Sequence, residues 1–276
     1  MMKAYYPETL EEALEALKNK DSRIIAGGTD LKLGRTQEGS LIFTEGIHEL
    51  KKITRRDTHL AIGAGVTLSM LLEEREIPFM EKLVRSIASP GIRNWASVGG
   101  NLCNASPIGD LLPMVYALDG RVKLIKKGCE RLLPIEEFIL GRKRTALEEE
   151  ELLKEVVIYC PVEGYKYFWI KISGREANSL SKVNSFATYK YEEKKLVDLK
   201  IAMGGLGPTV IREREIEEEL IEVINRGEGV EELEVLFKEY QKLFRPVTDQ
   251  RSESSYKLGV SRKIYLNLME YILKDK

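Results

Sequence analysis

Near the N-terminus apolar residues recur at helical spacing. Leu10, Ala13, Leu14 and Leu17 form one stripe, with Thr9 placed to cap it and Glu12 at the capping-box position. The pattern predicts a helix that ends at Asn19, Lys20 and Asp21. Residues 23–26 then read as a short buried strand, 41–44 as a second and 60–63 as a third, with Ile47 and Ile53 anchoring the turn between the last two. Thr67 is placed to cap a helix over 68–74, and a further helix over 80–88 is stopped by Ser89-Pro90-Gly91. Beyond residue 110 a helix carries Leu112, Val115 and Leu118, and the alternation of Val122, Lys123 and Leu124 predicts a strand over 121–126. Pro134 opens a short helix, residues 142–151 are charged and expected to be exposed, and the Val- and Ile-rich run 152–160 is another strand.

After Pro161 the pattern changes. Residues 167–172, 183–191 and 195–203 follow one another as strands, close enough for an antiparallel meander, and Glu192-Glu193-Lys194 is short enough for a hairpin turn. Charged amphipathic helices are predicted over 212–225, 230–244 and 256–273, the last with Tyr256, Val260, Ile264, Leu268 and Tyr271 near helical spacing. This is an α+β chain. The expected domains are 1–165, divided into two subdomains near residue 55, and 166–276.

A length of 276 residues suits two domains, and 43% hydrophobic with 32% charged residues describes a globular protein with an ample core. The 43 basic residues nearly balance the 44 acidic ones, which removes the argument for a nucleic-acid or membrane-surface partner. No apolar run reaches the ~18 residues of a membrane span, and residues 1–7 lack a signal-peptide core, so a cytoplasmic location is expected. Cys103, Cys129 and Cys160 are widely separated and form no C-x-x-C, which excludes a Cys-rich iron–sulfur site within this chain and argues against a disulfide framework. His48 and His59 have no metal-ligand neighbours and are expected at the surface, with no metal site.

Periodicity fails over residues 95–110. Gly99-Gly100 interrupts any regular element, Ser97, Asn101, Asn104 and Ser106 supply short donors, and Asp110 supplies an acceptor. Such a stretch is either a polar loop with a helix cap or a place where backbone N–H groups approach a phosphate or a flat ring. An earlier segment, Gly27-Gly28-Thr29-Asp30-Leu31, follows the strand 23–26 and leads into a helix-like run with Leu31 and Leu33. That is a phosphate-loop arrangement, or else a plain strand-to-helix turn. Gly63-Ala64-Gly65 also follows a strand, but Leu68 takes the third glycine position of the dinucleotide fingerprint and sets that reading aside. Two Gly-Gly loops about 70 residues apart can converge on one elongated phosphate-bearing ligand.

Several pieces occur in collinear order: Ala26-Gly27-Gly28-Thr29-Asp30-Leu31, Ala61-Ile62-Gly63-Ala64-Gly65-Val66-Thr67, and Ile92-Arg93-Asn94 through Asp110-Leu111-Leu112-Pro113. They continue with Phe168-Trp169-Ile170-Lys171-Ile172-Ser173-Gly174-Arg175, Ile201-Ala202-Met203-Gly204-Gly205 and Pro246-Val247-Thr248-Asp249-Gln250-Arg251. With them the chain resembles the FAD-binding (medium) subunit of the molybdenum hydroxylases, as found in xanthine, carbon monoxide and nicotinate dehydrogenases. The resemblance implies a two-part α/β FAD-binding domain of the PCMH type, followed by a small antiparallel sheet with helices.

It also implies non-covalent FAD. Ile24, Ile25, Ala26, Gly27, Gly28, Thr29, Asp30 and Leu31 would wrap the pyrophosphate, and Ser97, Val98, Gly99, Gly100 and Asn101 would complete the phosphate site beside the flavin. Ser106 belongs to the same implied set. Asp110 would meet the adenosine half, Lys171 the isoalloxazine ring, and Leu153 or its neighbour Leu152 the flavin edge. Cys103 would lie over the flavin face, in a packing or a redox role. The implied activity is electron transfer within an oxidoreductase complex. A small subunit with [2Fe–2S] clusters and a large molybdopterin subunit make up a heterotrimer, and NAD or another acceptor takes the electrons. A free-standing FAD reductase and a non-catalytic assembly module are the alternatives.

Overall fold

The computed structural model describes residues 3–31, 39–74, 77, 79–160, 163–175, 178–227 and 229–276. β1 (Lys3–Tyr5) leads to α1 (Leu10–Leu17), where Thr9 Oγ1 accepts the Glu12 N–H at 3.2 Å and the Glu12 carboxylate reaches back to the Glu8 N–H at 2.8 Å. β2 (Ser22–Ile25) and β3 (Ser40–Phe43) complete a parallel sheet in the order β1-β3-β2. α1 crosses between β1 and β2 and buries Ala13, Ala16 and Leu17.

β4 (Ile53–Arg56) and β5 (His59–Gly63) form a hairpin. Short helices follow: α2 (Leu68–Glu73), α3 (Met80–Arg85), α4 (Pro90–Arg93) and α5 (Val98–Cys103). Thr67 caps α2 by accepting the Met70 N–H at 3.2 Å, and Pro90 sits in the first turn of α4, where its missing N–H costs nothing. α6 (Leu112–Ala117) is buried along its whole length. Then come β6 (Arg121–Lys126), β7 (Cys129–Pro134), α7 (Ile135–Phe138), β8 (Ile139–Gly141), β9 (Arg144–Thr145) and β10 (Leu152–Tyr159). β10 takes the centre of an antiparallel sheet ordered β4-β5-β10-β6-β7 and buries Leu152, Leu153, Val156 and Ile158 there. The short or charged strands β1, β7, β8 and β9 carry too little apolar alternation to be expected from the sequence.

β11 (Tyr165–Ser173), β12 (Ser181–Glu192) and β13 (Lys195–Gly204) make the predicted meander. Its second hairpin turns through Glu193 and Lys194, both at positive φ (47° and 65°), the backbone that matches the twist of the flanking strands. The chain ends in α8 (Arg214–Arg226), α9 (Val230–Gln241) and α10 (Ser254–Leu273).

The chain divides into two compact units: Met1–Ala105 with Asp119–Cys160, and Ser106–Leu118 with Pro161–Lys276. Residues 106–118 thus group with the second unit, across the cut expected near residue 165. The cause lies in β12, which is buried on both faces. Val183, Ala187 and Tyr189 join the core shared with α8, α9 and α10, while Asn184 on the alternate face donates to Asp110 at 2.9 Å and approaches the Gly109 carbonyl. α6 packs against β12 and β13, so the excursion 106–118 supplies the layer that the meander needs.

Candidate functional site

β2 ends at Ile25 and runs into the first glycine pair. Gly28 has φ 66°, the left-handed conformation that glycine adopts without steric cost, and the Leu31 N–H closes a turn onto the Gly28 carbonyl at 3.3 Å. A Cβ on Gly27 would stand 1.7 Å from the Trp95 carbonyl oxygen, so this loop lies directly on the backbone of a later segment. Among the described residues none accepts from the N–H groups of Gly27, Gly28 and Thr29. Successive undirected N–H groups in a tight turn form an anion-binding concavity. The helix-like run expected after Leu31 falls on Leu33, which lies outside the described residues.

The second pair behaves differently. Gly99-Gly100 does not interrupt an element but sits inside α5, capped by Ser97. Its N-terminal donors are all used. Val98 donates to the Val66 carbonyl at 2.9 Å, Gly99 to the Ala64 carbonyl at 2.8 Å, Gly100 to Ser97 Oγ at 3.1 Å and Asn101 to the Ser97 carbonyl at 3.0 Å. The helix accepts glycine at 99, at a cost of ~1 kcal/mol against alanine, because it is pressed onto residue 64: a Cβ on Gly99 would lie 2.6 Å from Ala64 Cβ, whereas one on Gly100 would meet Ser97 Oγ at 3.0 Å. The backbone N–H groups of residues 98–101 are thus spent within the protein. What they present is the Asn101 side chain, whose Oδ1 is buried and has no hydrogen-bond partner among the described residues.

Both segments line one cavity of about 790 Å³ within the first unit, a size typical of sites for cofactors and small molecules. Ile24, Ile25, Ala26, Gly27, Gly28, Thr29, Asp30, Leu31, Ser97, Gly99, Gly100, Asn101, Cys103 and Leu153 all line it. Val98 does not: its side chain is buried in the core. Leu152 and Leu153 both line the cavity, where β10 carries a bulge between Leu153 and Glu155. The Gly63 and Gly65 N–H groups go to the Lys52 and Leu50 carbonyls at 2.8 Å each, which leaves that G-x-G no donors for a ligand.

Two walls escaped the sequence reading. Residues 17–23 line one side and residues 147–152 another. The second wall belongs to the run expected to be exposed, but Glu151 is only 3% exposed. Arg131 binds it bidentately, both contacts at 2.7 Å, and also donates to the Ala146 carbonyl at 2.6 Å. Burial works to raise the Glu151 carboxyl, yet Arg131, the Glu148 N–H and Lys126 together outweigh it and hold the group below its ordinary range. Cys103, the last residue of α5, has its thiol pushed up to about 12 by desolvation. That is the opposite of the depressed value a redox-active thiol needs. His48 and His59 are exposed.

Ser106, Asp110 and Lys171 belong to the second unit. The Ser106 carbonyl accepts the Gly109 N–H at 2.8 Å and closes a turn. Lys171 Nζ donates to Asp110 Oδ2 at 2.6 Å, while Ser181 Oγ and Asn184 Nδ2 donate to Oδ1 at 2.5 and 2.9 Å. A buried carboxylate needs such compensation. Asp110 and Lys171 thus form one directly bonded, largely buried ion pair.

A family model described as the FAD binding domain in molybdopterin dehydrogenase matches residues 1–160, and one described as the CO dehydrogenase flavoprotein C-terminal domain matches residues 168–271. The chain is 31% identical over 243 residues to xanthine dehydrogenase 2 of Arabidopsis thaliana, a match that covers 79% of this chain but only 18% of that much longer protein. It is 29% identical over 219 residues to the xanthine dehydrogenase FAD-binding subunit of Escherichia coli O157:H7, covering 74% of each. Among solved structures, quinoline 2-oxidoreductase from Pseudomonas putida 86 superposes with a TM-score of 0.88 at 19% identity, covering 100% of this chain and 98% of that one; this likeness speaks for the fold.

Proposed function

The chain belongs to the family of FAD-binding domains of molybdopterin dehydrogenases, and from that membership we propose that it is the flavin-carrying, electron-transferring subunit of a molybdenum hydroxylase complex. Its partners are a small [2Fe–2S] subunit and a large molybdopterin subunit, and NAD or another acceptor takes the electrons. Bound FAD supplies redox chemistry that no side chain offers, exchanging electrons singly or in pairs.

The observation that carries the reading is the cavity floor. Three consecutive N–H groups of residues 27–29 without partners among the described residues suit a diphosphate, and the orphaned Asn101 Oδ1 suits a ligand hydroxyl or ring N–H. Leu50, Leu152 and Leu153 supply an apolar wall that excludes water from a ring or a ribityl chain. The residues present therefore fit the cofactor. Among the described residues no cluster of His, Cys, Asp and Glu can hold a metal ion, and no helix is long and apolar enough to cross a membrane.

The test is the visible spectrum of the purified chain. It should be yellow, with flavin absorbance and stoichiometric FAD released on denaturation, and it should oxidise NADH only slowly when isolated. A colourless chain that takes up no added FAD overturns the reading. Rapid NADH oxidation by the isolated chain replaces it with a free-standing reductase.

A further inference from the structure

Lys143 is not among the residues lining the cavity, yet it touches two segments that are. Its Nζ donates to Asp30 Oδ2 at 2.9 Å and to the side-chain carbonyl of Asn104, and its own N–H donates to the Ala105 carbonyl at 2.9 Å. It is delivered by the turn between β8 and β9 at φ 58°, a conformation that lysine keeps only where its surroundings hold it. Lys143 and Asp30 are part of the first unit and remain about half exposed, at 54% and 66% of their side-chain surface.

Asp30 follows directly on Gly27, Gly28 and Thr29, whose N–H groups have no partner among the described residues. Asp30 adjoins those donors in sequence and lines the same cavity, so its carboxylate adds negative charge near an anion bound on them. An aspartate at that place opposes a diphosphate, which is the cofactor group that the loop suits. We infer that Lys143 is an electrostatic screen for the first glycine loop. By pairing with Asp30 it removes the local negative charge and lets the loop accept the FAD diphosphate. Anchorage to Asn104 and Ala105 keeps the ammonium in place. This rests on the flavin reading above and adds to it a positioning residue from a third segment.

A screen and a strut differ in one observable. FAD affinity is measured by quenching of flavin fluorescence on the apo full-length chain at low ionic strength. Lys143→Met should weaken binding by about tenfold, and Lys143→Arg should retain it. Asp30→Asn alone should bind FAD more tightly than wild type, because it leaves the Lys143 charge uncompensated beside the loop. The decisive variant is Lys143→Met/Asp30→Asn, which should recover most of the lost affinity because the repelling carboxylate is gone. Screening by salt over a Debye length of about 8–10 Å should shrink the Lys143→Met deficit as ionic strength rises. A double variant no better than Lys143→Met, with the deficit independent of salt, overturns the screen and leaves a strut. Undiminished binding by Lys143→Met, beside a wild type that binds FAD, overturns this inference alone. A wild type that takes up no FAD overturns the flavin reading and this inference together.

Discussion

Gly27-Gly28 and Gly99-Gly100 line the same cavity, but their backbones are spent differently. The N–H groups of the first pair have no partner among the described residues, whereas those of the second go to the Ala64 carbonyl and Ser97 Oγ. The first pair needs glycine for a left-handed φ at residue 28 and for close approach to the Trp95 carbonyl. The second needs it at Gly99 because Ala64 presses on the helix there. A glycine pair thus announces that something comes close to the backbone. Whether that something is a ligand or the protein itself is settled by where the N–H groups point.

Gly28→Val attacks this distinction hardest. A β-branched residue at φ 66° is strongly disfavoured, so the loop must leave the conformation that aligns its donors. Among the described residues a Cβ there meets only Ile25 Cγ2, at 4.0 Å, so they have no reason to unfold. FAD affinity should fall by about a hundredfold or more, equivalent to the ~3 kcal/mol of strain and lost donors, while the circular dichroism spectrum stays unchanged. Unaltered FAD affinity would remove the first loop from the phosphate site.

Gly99→Ala should give the complementary phenotype. The added methyl has to push against Ala64 Cβ at 2.6 Å and its carbonyl at 2.8 Å, an overpacking that typically costs about 1–3 kcal/mol. In a unit of this size each kcal/mol lowers Tm by roughly 2–4 °C, so scanning calorimetry should show a clear drop. FAD affinity measured well below the transition should change far less than in Gly28→Val. The comparison would reverse if Gly99→Ala kept its Tm and lost FAD.

Local signals were legible in the sequence. Thr9 and Glu12 marked the start of α1, Thr67 that of α2, and the turn at Glu193 and Lys194 closed the meander as expected. Each of these depends on residues within one turn of the chain. Features that stayed hidden depend on distant partners. No local rule places Gly99 in a helix, since the reason is its contact with Ala64. The charge run 142–151 reads as solvated until Arg131 meets Glu151. The membership of residues 106–118 is settled by the second face of β12 and by the bond between Lys171 and Asp110. In the cavity, the first glycine loop was readable as a lining segment, whereas the walls at 17–23 and 147–152 were not, because ordinary polar residues become walls only through packing.

The mildest test concerns Cys103, at the end of the second segment. If α5 is a wall rather than a donor, this cysteine should be chemically quiet. Burial pushes its thiol up to about 12, and its place at a helix C-terminus also disfavours an anion. An unfolded cysteine ionises near pH ~8.5, so the stability that Cys103 contributes is fully present below that value and is lost as pH rises from there toward 12. At pH 8 the exposed Cys129 should take up iodoacetamide while Cys103 stays unmodified by mass spectrometry, and Cys103→Ala should bind FAD like the wild type. Fast alkylation of Cys103 accompanied by a changed flavin spectrum would instead place a reactive thiol against the ring, and the second segment would have to be counted as part of the chemistry rather than its enclosure.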